Sequence, residues 1–258
     1  MRFSIPGNVS SYGFQIGGLG SHGSRTIMLS ELRLLLSVCS PMASESEYRK
    51  AILEDNVLLK QTLSTRHESV RRLRELYGIN PSFITFRALR DLWDHTIEAQ
   101  PVLAMLAALS RDPVLRSTTP LILSVQRGTP VDSQMFSRVV KEEYPNLGTT
   151  TQANFGRHIA SSWAQSGHLK GRTNKIRGQA QAYASSCAYA LFLGYLCGER
   201  GEGLFTTPWA QVLDTPTYTL HNLAKAASQY GWLEYRQSGS ITDISFRYLL
   251  REEGDSLA

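Results

Sequence analysis

Apolar residues recur at helical spacing through the first half of the chain. Leu29, Leu32, Leu35 and Leu36 form one stripe, and Val70, Leu73, Leu76 and Tyr77 form another, the spacing with which an amphipathic helix turns one side to a core. Glycine and proline separate these runs. Gly78 with Pro81, Asp112 with Pro113, and Gly128 with Pro130 each end one of them, as residues that do not continue a helix at low cost. The pattern predicts a mainly α, multi-helix globular protein with helix-turn-helix elements and short connections. Strand periodicity emerges only near the end, where Leu233 and Tyr235, then Ile244, Phe246 and Tyr248, alternate with polar residues around Ser238-Gly239-Ser240. That is a β-hairpin pattern. A helix over about 219–230, with Leu220, Leu223, Ala224 and Ala227 on its apolar side, leads into it, and helix then hairpin is the tail of a winged helix-turn-helix.

The chain of 258 residues is long enough for a large core. Three parts are expected: a glycine-rich arm over 1–24, an N-terminal helical half over 25–147, and a C-terminal basic half over 148–258 that carries the winged element. The joint falls in Lys141 to Gly148, around Pro145 and Asn146. The arm has six glycines and a single charge, Arg2, without the apolar run of a secretory leader. From Gly178 to Gly198 there is no charge, but Gln179, Gln181, Ser185 and Ser186 interrupt the run. Its strongly apolar part suits a buried core helix better than a membrane span. Cys39, Cys187 and Cys197 are odd in number and show no Cys-x-x-Cys spacing, which argues against a disulfide framework or a zinc ribbon and for a reducing cytoplasm.

Charge changes the picture most. The chain has 27 basic and 22 acidic residues, and the whole excess lies between Tyr144 and Gly198. That stretch contains Arg157, Lys170, Arg172, Lys175 and Arg177 and no carboxylate. A local positive field on an otherwise balanced protein attracts a polyanion, and duplex DNA is the densest common one.

Two surfaces there could meet nucleic acid. Thr149, Thr150 and Thr151 can cap a helix with Phe155, Ile159 and Trp163 on its core side, while Thr150, Asn154, Arg157, Ser161 and Gln165 share the other. These donors suit phosphates. On the helix over 219–230, His221, Asn222, Lys225 and Gln229 lie opposite the leucines, and Arg236 and Arg247 on the hairpin sit beside them. Asn and Gln can pair with adenine and Lys with guanine or phosphate, so this is a major-groove candidate. Five phosphate-bound cations would give log affinity a slope of about 4.5 against log salt.

Other signals are weaker. Arg66 to Glu75 is rich in charge, but Glu68 with Arg72 and Arg71 with Glu75 are i, i+4 pairs, leaving Arg66 and Arg74 over on a self-neutralised face. Gly18-Leu19-Gly20-Ser21-His22-Gly23 fits G-x-G-x-x-G, yet Pro41 to Glu45 opens another helix where a dinucleotide fold needs a second strand. No metal-ligand histidine spacing occurs, and His158 and His168 suit a duplex-facing or solvated role. Asp112, before Pro113, suits a helix-terminal turn. No pair of carboxylates suggests acid and base roles, so neither catalysis, nor a cofactor, nor a metal is expected.

Several runs together resemble one family, the BrxA proteins of the bacteriophage exclusion (BREX) defence systems. They are Asn56 to Thr62 with Ser64 to Arg66, Arg72 to Gly78, Leu109 to Arg116, Ala190 to Leu196, and Trp209 to Asp214. The resemblance spans about 25–250 and implies a small, soluble, largely helical, non-enzymatic DNA-binding protein that works beside a methyltransferase and ATPases in phage resistance. The base contacts do not carry over residue by residue. A rival reading from another class remains open: a protein–protein adaptor whose basic surface meets an acidic partner rather than DNA.

Overall fold

Each apolar stripe of the N-terminal half lies on a helix in the computed structural model, which describes residues 3–239 and 241–251. Arg2 of the arm and Ser240 of the hairpin turn lie outside the described residues. The helices of this half are α1 (Leu29–Val38), α2 (Glu45–Leu53), α3 (Leu63–Tyr77), α4 (Ile84–Trp93), α5 (Gln100–Arg111), α6 (Pro113–Ser117) and α7 (Thr119–Ser124). Local chemistry sets their ends. Ser44 starts α2 with a reciprocal cap, accepting from the Glu47 N–H while Glu47 accepts from the Ser44 N–H. Asp112 caps α6 by accepting from the Leu115 N–H at 2.9 Å.

The next elements are β1 (Pro130–Val131), α8 (Ser133–Glu143), α9 (Thr149–Gln165), β2 (Leu169–Lys170) and β3 (Lys175–Arg177). β1, β3 and β2 form an antiparallel sheet in that order, with Pro130 opposite Ile176 and Leu169 opposite Arg177. Helices α8 and α9 cross closely at Gly156, where any Cβ would run into Ser137 Oγ and the Ser133 carbonyl. Between them, where the joint is expected, the chain turns at Pro145 and Asn146.

The chain closes with α10 (Ala184–Leu196), α11 (Pro208–Gln211), α12 (Thr217–Gln229), β4 (Glu234–Ser238), β5 (Ile241–Ser245) and α13 (Arg247–Leu250). α10 is apolar all round and packs against α4, α5, α11 and α12, as a fully buried helix should. One continuous core runs from the arm to α13. Among the described residues no helix is long and apolar enough to cross a membrane. The hairpin β4–β5 pairs Tyr235 with Ile244, but the expected strand is too long. Phe246 leaves the sheet to pack on Phe192 and Tyr195, at ring-centroid distances of 5.3 and 5.1 Å, and Tyr248 falls in α13.

The glycine-rich arm is a strap fixed to the core. Phe3 and Phe14 pack edge-on against Trp209. Arg111 donates to the Gly13 carbonyl, and Arg116 Nη2 donates to the Gln15 carbonyl at 2.8 Å. The G-x-G-x-x-G loop does bind an anion, but an internal one. Asp112 Oδ2 accepts from the Ser21 N–H at 2.8 Å and sits 2.6 Å from His22 Nδ1. Gly20 has φ 61° and a Cβ there would overlap the Asp112 carboxylate, so the loop has no room for a dinucleotide phosphate.

Candidate nucleic-acid interface

Phe155, Ile159 and Trp163 seat α9 in the core, which leaves its other side to solvent. The cap differs from the expected one. Gly148 precedes the helix, no side chain caps it, and Thr149, Thr150 and Thr151 lie in its exposed first turn. Thr150 and Arg157 are exposed, Asn154 and Ser161 are half-buried, and the Arg157 guanidinium bonds the Asn154 side-chain oxygen. Gln165 departs from this face. It turns to the start of α1, accepting from the Leu29 N–H at 3.2 Å and donating to Thr26 Oγ1 at 3.0 Å.

The β2–β3 hairpin continues the surface. Lys170 and Arg172 are exposed, and half-buried Lys175 donates from Nζ to the Arg172 carbonyl at 2.7 Å. Arg157 and Ser161 from α9 and Thr173 to Ile176 from the hairpin line one cleft of about 630 Å³, completed by the β1–α8 junction. Asp132 is the carboxylate on this cleft, and it is engaged as the α8 cap, accepting from the Gln134 N–H at 3.0 Å.

Arg177 does not belong to this strip. It is 3% exposed, and Asp214 from the α11–α12 loop holds it through contacts of 2.8 and 3.0 Å. Its remaining donors reach the Ile122, His168 and Gly178 carbonyls. A buried guanidinium needs such partners, and period-two alternation along β3 turns Arg177 inward. His168 is likewise buried, not duplex-facing or solvated: Nε2 donates to the Val212 carbonyl at 2.8 Å and Ser166 Oγ lies 2.8 Å from Nδ1. Burial pushes its pKa down to about 4, so the ring is neutral at physiological pH. His158 is half-buried, its Nδ1 3.0 Å from the His22 carbonyl. Burial lowers its pKa, and the nearby Arg157 and Arg25 guanidiniums push the same way. Arg25, exposed on the strap, is thus a further cation near α9 that the charge pattern of 144–198 did not reach.

On α12, Asn222, Lys225 and Gln229 are exposed and Lys225 Nζ sits 5.8 Å from the Tyr235 ring centroid. His221 turns away from them. It stacks on Phe205 with Nε2 3.1 Å from Glu202. Arg236 on β4 and Arg247, which starts α13 instead of lying on the hairpin, are exposed but both approach Glu234, at 3.4 and 3.3 Å, so their charges are partly neutralised. The segment Arg66 to Glu75 is more fully paired than expected, because Arg74 meets Glu45 at 2.6 Å and Arg66 donates to the Leu53 carbonyl at 2.9 Å.

A Ser–His–Asp constellation underlies α9. Ser162 Oγ lies 2.9 Å from His22 Nε2, whose Nδ1 lies 2.6 Å from Asp112. These distances match a nucleophile–base–acid relay, but all three side chains are buried and Ser162 is already engaged. Its hydroxyl donates to the His158 carbonyl at 2.9 Å and accepts from the Ile27 N–H at 3.0 Å. Burial raises the Asp112 pKa, but the His22 charge and the hydrogen bonds outweigh it and the net shift is downward. The constellation ties the strap to α9 and is closed to solvent. Neither a protein-family model nor a curated protein sequence matches the chain.

Proposed function

We propose that this chain is a non-enzymatic, cytoplasmic DNA-binding accessory protein of the BrxA kind, acting in phage defence, and that it grips duplex phosphate through α9 and the β2–β3 hairpin. The observation that carries this reading is the cleft shared by Arg157, Ser161 and Lys175, beside exposed Lys170 and Arg172. Convergent, unpaired cations beside hydroxyl and amide donors are the means by which proteins hold a sugar–phosphate backbone.

Element order supports the reading. α7, β1, α8, α9, β2 and β3 follow one another as in a winged helix-turn-helix over about 119–177, with α9 as the recognition helix and the β2–β3 turn as the wing. α12 with β4–β5 repeats the helix-then-hairpin order, and Asn222, Lys225 and Gln229 give a second, weaker contact. Arg236 and Arg247 contribute less because Glu234 competes for them. The N-terminal helical half serves as scaffold and docking surface for the methyltransferase and ATPases of such a system. Sequence preference is weak, since backbone contacts position a protein without reading bases.

The test is fluorescence anisotropy with a labelled duplex. Wild type binds, and the variant with Arg157, Lys170, Arg172 and Lys175 all changed to Ala loses most of its affinity. If the two bind alike, or neither binds, the basic surface serves a protein partner and the adaptor reading replaces this one.

A further inference from the structure

A second cleft, of about 550 Å³, shares no residue with the first. Its apolar walls come from Phe3, Ile5 and Ile16 of the strap, Leu121 of α7 and Val139 of α8. Arg116 and Tyr144 line it as well, with Glu143 the carboxylate in its lining.

Arg116 is the unusual member. It is 8% exposed, and its hydrogen-bond partners are uncharged: Nη1 donates to the Leu109 carbonyl at 2.6 Å, and Nη2 to the Gln15 and Ile16 carbonyls at 2.8 and 3.3 Å. Among the described residues no carboxylate pairs with it, and its Nε has no hydrogen-bond partner. The Asp112 charge acts on it, but the Asp112 oxygens are engaged by Ser21, His22 and Leu115. Burial pushes the Arg116 pKa down to about 10, and the group stays cationic at neutral pH. The Tyr144 hydroxyl is likewise without a hydrogen-bond partner among the described residues. A buried cation whose partners are only neutral carbonyls leaves a charge that an incoming anion can neutralise.

We propose that this cleft binds a small organic carboxylate with an apolar body, the carboxylate facing Arg116 and the body lying against Ile16, Leu121 and Val139. The volume suits such a ligand, and apolar side chains beside a few placed polar groups are the usual make-up of a small-molecule site. Charge recognition by Arg116 selects the ionised acid. Glu143, which carries the like charge, weakens binding and sets an upper bound on ligand charge.

Thermal unfolding with hydrocinnamate, isocaproate and octanoate, each beside its neutral amide, tests this. At about ten times its Kd an acid that fits raises the midpoint by about 3–5 °C, while its amide gives a small fraction of that shift. Val139→Phe, which fills the cleft, abolishes the acid shift; Leu121→Phe serves as a second filling variant should the first fold poorly. Glu143→Gln strengthens acid binding two- to threefold and leaves the amides unchanged. The proposal is overturned if no acid shifts the midpoint up to its solubility limit, if acids and amides act alike, or if both filling variants keep the full acid shift.

Discussion

Asp214 holds Arg177 in a two-pronged ion pair, with Nη1–Oδ2 at 2.8 Å and Nη2–Oδ1 at 3.0 Å. The pair joins strand β3 to the loop that precedes α12, so it ties the β2–β3 hairpin to the C-terminal helix and hairpin. Removing one member of a buried pair strands the other charge and typically costs about 3–5 kcal/mol. Asp214→Ala is therefore expected to lower the stability measured by urea unfolding by that order. Because Arg177 is buried and already paired, Arg177→Met is expected to leave the salt dependence of DNA binding unchanged in the folded protein.

His168 predicts a pH dependence of stability. The unfolded imidazole takes up a proton near its ordinary value of 6.5, while the buried ring resists until about 4. The unfolded state thus binds more protons in this window, and stability is full above pH 6.5 and lost as pH falls toward 4. The loss is about 3 kcal/mol. Urea midpoints measured across this range are expected to fall steeply for wild type and less steeply for His168→Asn.

Gly20 is the tightest point of the strap. With φ 61° and the Asp112 carboxylate against its α-carbon, Gly20→Ala adds both backbone strain and a clash. The expected destabilisation exceeds about 2 kcal/mol. Ser162→Ala leaves the His22 ring and the Ile27 N–H without their shared acceptor, and is expected to cost about 1–3 kcal/mol. Urea unfolding of both variants checks these values.

Glu234 restrains the second unit. Glu234→Gln frees Arg236 and Arg247, and duplex affinity is expected to rise a few-fold at low salt. Lys225→Ala is expected to weaken binding to a similar, small degree, uniformly across duplex sequences. Anisotropy titrations with two unrelated duplexes check both.

The helices were legible because their signal is long. The leucine stripes of α1 and α3, the breaks at Gly78 and Pro113, and the apolar α10 all follow from periodicity and punctuation. The sheet β1–β3–β2 was not, because strands of two or three residues carry no alternation to detect. That gap concealed the unit that unites α8, α9 and the basic hairpin. Of the cations that the charge pattern grouped together, Arg157 and Lys175 line one cleft, but the pattern could not foresee Arg177, whose partner Asp214 lies 37 residues along the chain. For the same reason Asp112 resembled a simple turn residue. Its ties to Ser21 and His22 cross some 90 residues, and only tertiary packing shows that the glycine loop closes on it.

The slope of log affinity against log salt measures the central claim most directly. With Arg157, Lys170, Arg172 and Lys175 on phosphates and Arg177 internal, α9 and its hairpin account for about 3.6 of the slope, at about 0.9 per neutralised phosphate. Each single change of these four to Ala is expected to lower the slope by about 0.9, and Arg177→Met by nothing. A slope near zero, or one that these four substitutions leave intact, would contradict the account.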